Sequence, residues 1–83
     1  MLSLNVNFVA GELTPGLVNG NYEVEQGVTV MGLLEKCELV CGVKVPEKNL
    51  QYLHIMFNGR PIRLEDSLNE DGKLQFCRIV FGG

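Results

Sequence analysis

Two glycines, Gly82 and Gly83, follow the mostly apolar run Leu74-Gln75-Phe76-Cys77-Arg78-Ile79-Val80-Phe81. Glycine has no side chain and is the most permissive residue. A pair of them beside a free carboxylate makes a thin tail with nothing bulky near the carboxyl carbon. That shape suits a site reached through a narrow channel. The chemistry open to such a group is acyl transfer. A carboxylate is a poor acylating group until one oxygen becomes a good leaving group, so a separate activating system must supply that step. Gly83 is the candidate reacting residue, and Gly82 keeps the approach thin.

The other residues able to do chemistry make weaker sets. Cys37 and Cys41 stand four apart, and only Cys77 and His54 could complete a metal site with them. That spacing matches neither a zinc ribbon nor a plant-type iron–sulfur set, so no metal is expected. The helical cysteines are expected to fill the interface between helix and sheet as small apolar groups. Cys77 is expected to face outward, where a persulfide or mixed disulfide is open to it. His54 is the single histidine and has no serine or cysteine partner at triad spacing. Glu65-Asp66 and Glu70-Asp71 read as solvated turn acids, and Arg60 and Arg63 as surface charges or contacts to a partner's carboxylate.

Composition narrows the classes. The chain has 83 residues, 46% of them hydrophobic, which suits one folded domain over 1–83 rather than disorder. Its net charge is −3 and it lacks a basic run, so nucleic acid is not the expected partner. The start alternates polar and apolar residues without a basic region or cleavage pattern, so a signal peptide is not expected. No apolar run approaches the length of a membrane span. An odd count of three cysteines points to reduced thiols, and a cytoplasmic location is the expectation.

The elements that must position the tail follow from periodicity. Leu2, Leu4, Val6, Phe8 and Ala10 alternate with polar residues as a half-buried strand. Residues 11–21 read as a loop. Tyr22, Val24 and Gln26 form the inner face of a short second strand paired with the first. Thr29 is an N-cap, and Val30, Leu33, Leu34, Cys37 and Cys41 at helical spacing predict a helix over 30–41, ended by Gly42. Glu35, Lys36 and Glu38 face away. A turn of helix is expected near Pro46-Glu47-Lys48-Asn49.

Residues 52–57 predict a strand with Leu53, Ile55 and Phe57 inward, turned at Asn58-Gly59 into an edge strand that Pro61 keeps at the margin. Residues 73–81 form the last strand. The order ββαβββ predicts an α+β fold, a mixed five-stranded sheet with one main helix on one face. The other face is then uncovered. Leu74, Phe76 and Val80 point to the helix, while Gln75, Cys77, Ile79 and Phe81 point outward near Met56 and His54. That face is a candidate docking surface.

Taken in order, Gly27-Val28-Thr29-Val30 leading into Leu33-Leu34, Phe57-Asn58-Gly59-Arg60-Pro61, Glu70-Asp71-Gly72 and Gly82-Gly83 resemble the ubiquitin-like sulfur carriers. These are the small subunit of molybdopterin synthase and the thiamine-pathway carrier. The resemblance covers nearly the whole chain and implies a β-grasp fold. It also implies that an E1-like adenylyltransferase, using ATP and magnesium, adenylates Gly83. Sulfur then replaces AMP to give a thiocarboxylate, which an acceptor enzyme consumes, either the molybdopterin synthase large subunit or thiazole synthase. The carrier itself binds no cofactor. Gly82 would supply thinness, and Phe81 and Arg78 would flank the tail at the partner surface, with Ile79, Cys77 and Met56 on the docking face. Asn7-Phe8-Val9-Ala10 with Glu12-Leu13-Thr14 resembles the molybdopterin branch, whereas Arg78-Ile79-Val80-Phe81, where that subunit carries a proline pair, looks more like the thiamine carrier. A ubiquitin-like conjugation or interaction module on the same fold is the alternative from another class.

Overall fold

In the computed structural model, residues 1–79 are described. They form β1 (Leu2–Phe8), β2 (Gly20–Val24), α1 (Val30–Cys41), the single-turn α2 (Glu47–Leu50), β3 (Leu53–Phe57), β4 (Arg60–Ile62) and β5 (Gly72–Arg78). The five strands make one sheet in the order β2-β1-β5-β3-β4. β1 and β5 pair in parallel, and the other neighbours are antiparallel. Alternation sends Leu2, Leu4, Val6 and Phe8 inward with Leu53, Ile55, Leu74 and Phe76. Val30, Leu33, Leu34 and Cys37 of α1 lie on them, all fully buried. The rings of Phe8 and Phe76 stack with centroids 5.3 Å apart across the parallel pair.

The N-terminus of α1 shows why the sequence around 64–68 matters. Amides in the first turn of a helix lack intrahelical acceptors. Here the Val30 amide donates to the Asp66 carbonyl and the Met31 amide to the Leu64 carbonyl, both at 2.9 Å. The Gly32 amide donates to Thr29 Oγ1 at 3.0 Å, which makes Thr29 the expected N-cap. Leu68, fully buried, is held by reciprocal backbone bonds with the 27–28 turn: its amide donates to Val28 O, and the Gly27 amide to Leu68 O, each at 2.7 Å. The loop before β5 is therefore a strap over the start of the helix. At the other end Gly42 takes φ 70°, the left-handed conformation that stops a helix.

Several expectations need adjustment. β2 starts at Gly20 and stops at Val24, so Gln26 lies beyond it and is exposed. β1 ends at Phe8, although Ala10 stays buried and its amide donates to Phe76 O at 3.1 Å. Glu38 does not simply face away: its carboxylate accepts the Val45 amide at 2.6 Å and ties the loop after the helix back to it. Cys41 is half-buried at the rim of the interface rather than inside it. The last strand ends at Arg78, short of the expected 81, and Val80 and Phe81 lie outside the described residues.

The Asn58-Gly59 turn does more than reverse the chain. Asn58 sits at φ 51° and Gly59 at φ 82°, the two positive angles that a two-residue turn between twisted strands requires. Asn58 Oδ1 accepts the Lys73 amide, and the Asn58 amide donates to Lys73 O, both at 2.9 Å. The carboxamide lies against Gly72, where an added Cβ would come within 2.8 Å of Asn58 Cγ. Gly72→Ala is expected to expel that carboxamide and lower stability by about 1–2 kcal/mol, the cost of a lost hydrogen bond to backbone. Urea unfolding of the two proteins measures it, and an unchanged midpoint would show that the clamp contributes nothing.

Candidate functional site

The candidate site is the end of β5 and the uncovered sheet face beside it. The last described residue, Ile79, donates its amide to the Tyr52 carbonyl at 2.8 Å. This bond extends the β3–β5 pairing one step past the strand and anchors the chain four residues before Gly83. The pairing sets His54 directly opposite Cys77 and Met56 opposite Gln75, and Pro61 of β4 opposite Met56. With period two, Tyr52, His54 and Met56 share the outer face with Gln75, Cys77 and Ile79. Met56, Cys77 and Ile79 are half-buried, while His54 is exposed and Tyr52 is 41% exposed. Val9, two residues past Asn7 on the same face, is 62% exposed.

That face is divided. Its β3–β5 half presents Tyr52, Met56, Cys77 and Ile79 together with His54 and Gln75, and Val9 follows the end of β1 beside it. Its β1–β2 half presents Ser3, Asn5, Asn21 and Glu23, all exposed. Asn5 Nδ2 donates to Asn21 Oδ1 at 3.2 Å there. Sequence reasoning missed Val9 and Tyr52. The signal was present for Val9, an apolar residue at an outward position of an alternating run.

The structure brings Met56, Cys77 and Ile79 together, as expected, but places Arg78 elsewhere. Arg78 is opposite Leu53, on the helix-side parity of β5. It projects past the end of the core, and its Nη1 lies 3.3 Å from Glu12 Oε1 in the loop after β1. A hydrogen bond from its own backbone amide, and then the Arg78 guanidinium, hold the Glu12 carboxyl below its ordinary range. Arg78 is thus an exposed residue on the opposite side of the strand from the apolar half-face. Phe81, Gly82 and Gly83 lie outside the described residues.

The cysteines divide by environment. Cys37 is fully buried under the sheet, and burial, followed by the neighbouring Cys41, pushes its thiol up to about 12. Cys41 Sγ is 3.5 Å from the Tyr22 hydroxyl, which also donates to Val18 O. Burial and then the Cys41 contact raise the Tyr22 phenol above its ordinary range. Among the described residues there is no group of three or more His, Cys, Asp or Glu placed to hold a metal. The first amides of α1 are all bonded within the fold, so its N-terminus offers no open cradle for a phosphate. Among the described residues no helix is long and apolar enough to cross a membrane.

Two measurements test this geometry. A thiol-specific reagent at mild pH is expected to modify Cys77 in the folded protein and leave Cys37 untouched until denaturant is added; labelling of Cys37 at the same rate would contradict its burial. Because the folded thiol of Cys37 is raised from 9.0 to about 12, its contribution to stability is intact below pH 9 and declines as pH climbs toward 12. For Glu12 the sign is opposite. Its lowered carboxyl favours the folded state at neutral pH, and that contribution fades as acid protonates it. NMR titration is expected to place Glu12 below 4.5, with Arg78→Ala moving it upward. No movement in the variant would mean the pair does not persist in solution.

No family model matches the sequence, and no curated protein matches it. Solved structures do. SAMP1 from Haloferax volcanii superposes with TM-score 0.66 at 16% identity, covering 98% of this chain and 99% of that one. A structure described as "Putative molybdopterin converting factor, subunit 1" from Pyrococcus furiosus superposes with TM-score 0.66 at 15% identity, covering 96% of this chain and 100% of that one. Identities this low carry fold and nothing finer, and the fold is plain: this chain is a ubiquitin-like β-grasp domain.

Proposed function

We propose that this chain is a sulfur carrier of the kind its sequence resembles, a protein co-substrate rather than an enzyme. The Gly83 carboxylate attacks the α-phosphorus of ATP in the site of an E1-like adenylyltransferase, and pyrophosphate leaves with magnesium assistance. A sulfur nucleophile then attacks the acyl carbon and AMP departs, leaving a thiocarboxylate on Gly83. In an acceptor enzyme the thiocarboxylate sulfur bonds to the acceptor, and water then cleaves the acyl–sulfur bond, leaving the sulfur on the acceptor and restoring the Gly83 carboxylate. The molybdopterin synthase large subunit is the first choice of acceptor, and thiazole synthase is the alternative.

One observation supports this reading most. The strand leading to Gly82 and Gly83 runs in the middle of the sheet and meets the apolar half of an uncovered face at Ile79. A partner that covers Met56, Cys77 and Ile79 sits beside the point where the chain leaves the described body. Val80, Phe81 and Gly82 lie between Ile79 and Gly83 in the sequence. No catalytic set on the described body competes with this assignment: His54 has no nucleophile bonded to it, and the helix N-terminus is closed. The molybdopterin branch is put first on the resemblance of Asn7-Phe8-Val9-Ala10 with Glu12-Leu13-Thr14.

Incubation with an activating enzyme, ATP and a sulfur source, followed by intact-protein mass spectrometry, tests it. A gain of about 16 Da, oxygen exchanged for sulfur, is expected and is lost when Gly83 is removed. Heavier adducts joined to lysine through Gly83, with no 16 Da product, would favour a protein modifier. A truncated chain that works as well as the intact one would sink both readings.

A further inference from the structure

We infer that the groove along the outer edge of β2 binds an extended peptide in which apolar and basic residues alternate. This surface lies at the opposite margin of the sheet from the β3–β5 half-face, so the inference stands apart from the sulfur-carrier reading.

The two sheet edges are built differently. β4 is three residues long, contains Arg60 and Pro61 and is followed by Arg63, which are the usual devices against strand addition. β2 is five residues of Gly-Asn-Tyr-Glu-Val with no proline and no lysine. It pairs with β1 on one side and is the end of the sheet on the other, so its outward backbone groups are open to a further strand. Beside it, between β2 and the second half of α1, runs a cavity of about 560 Å³ lined by Val18, Tyr22, Lys36, Val40 and Cys41. A second cavity of about 520 Å³ shares Met1, Glu23 and Lys36 with the first and continues past Val24 to Gly27. Together they follow the whole strand. Val18 is 62% exposed and Val40 61%, so the apolar lip of this groove has no cover within the fold.

Charge then selects the occupant. Tyr22 and Val24 point to the helix side, whereas Asn21 and Glu23 point to the open face, with exposed Glu25 following. Neither Glu23 nor Glu25 has a cation within 4 Å among the described residues; the ion pairs there are Arg63 with Glu65 and Arg78 with Glu12. An added strand places successive side chains on alternate faces and sets each beside its cross-strand neighbour. Residues opposite Tyr22 and Val24 enter the apolar groove, where Lys36 disfavours another cation. Residues opposite Glu23 and Glu25 meet unpaired carboxylates. Backbone bonds would supply affinity and this alternation the selectivity.

The test is an NMR titration of the full chain with capped peptides of about nine residues, one alternating valine and lysine, the other valine and glutamate. The lysine peptide is expected to shift the amides of residues 20–25 and 36–41 and to bind at least about tenfold more tightly than the glutamate peptide. Replacing both Glu23→Lys and Glu25→Lys, exposed positions that leave the core intact, is expected to reverse that order. Equal binding of the two peptides overturns the proposal, as does a response confined to residues 52–56 and 75–79. So does a shift of the same β2 amides on concentrating the protein alone, which would make a second copy the occupant.

Discussion

Everything in this molecule hangs on the parallel pairing of β1 with β5. Leu4 to Phe8 lie beside Gly72 to Phe76, so the two ends of the described chain meet in the middle of the sheet. A contact this distant in sequence carries a large loop-closure entropy, and local preference cannot supply it. The return comes from burial. Leu4, Val6, Leu74 and Phe76 are fully covered, and a fully buried side chain of this size contributes about 1.5–3 kcal/mol. The stacked rings of Phe8 and Phe76 add about 0.5–1.5 kcal/mol beyond area. Once β5 is central, β3 must pair on its other side, and the exit of β5 is fixed at one end of the sheet.

That placement decides what the surface can do. The main helix covers one face, and among the described residues no element covers the second. Its apolar residues are unevenly spread: Asn5, Asn21 and Glu23 stand on β1 and β2, while Met56, Cys77 and Ile79 stand on β3 and the end of β5, with His54 and Gln75 among them. The apolar residues thus lie beside the point where β5 leaves the sheet. The two margins differ too. A short, proline-bearing β4 resists strand addition, while β2 remains an open template with a groove at its side.

The buried chemistry is silenced by the same packing. Cys37 is kept protonated by its surroundings, and the first amides of α1 are consumed by the 64–68 strap.

Much of this was legible in the residues. The span of α1, its Thr29 cap and Gly42 stop, the Asn58-Gly59 turn and the inward set on β1 all follow from local periodicity and turn chemistry. Those signals depend on neighbours within a few positions, which the sequence lists directly. Gly83 as the reacting group rests on the Gly82-Gly83 pair and the resemblance alone, and it lies outside the described residues. The tertiary structure alone decided which strands are neighbours, and hence that Met56 and Cys77 share a half-face with Val9 and Tyr52. It alone turned Arg78 toward Glu12, buried Leu68 as part of a strap and left Cys41 at a rim. The physical reason is that strand pairing and loop packing are settled by competition among distant segments for one core. Periodicity says which way a side chain points, and only the winning arrangement says what it meets there.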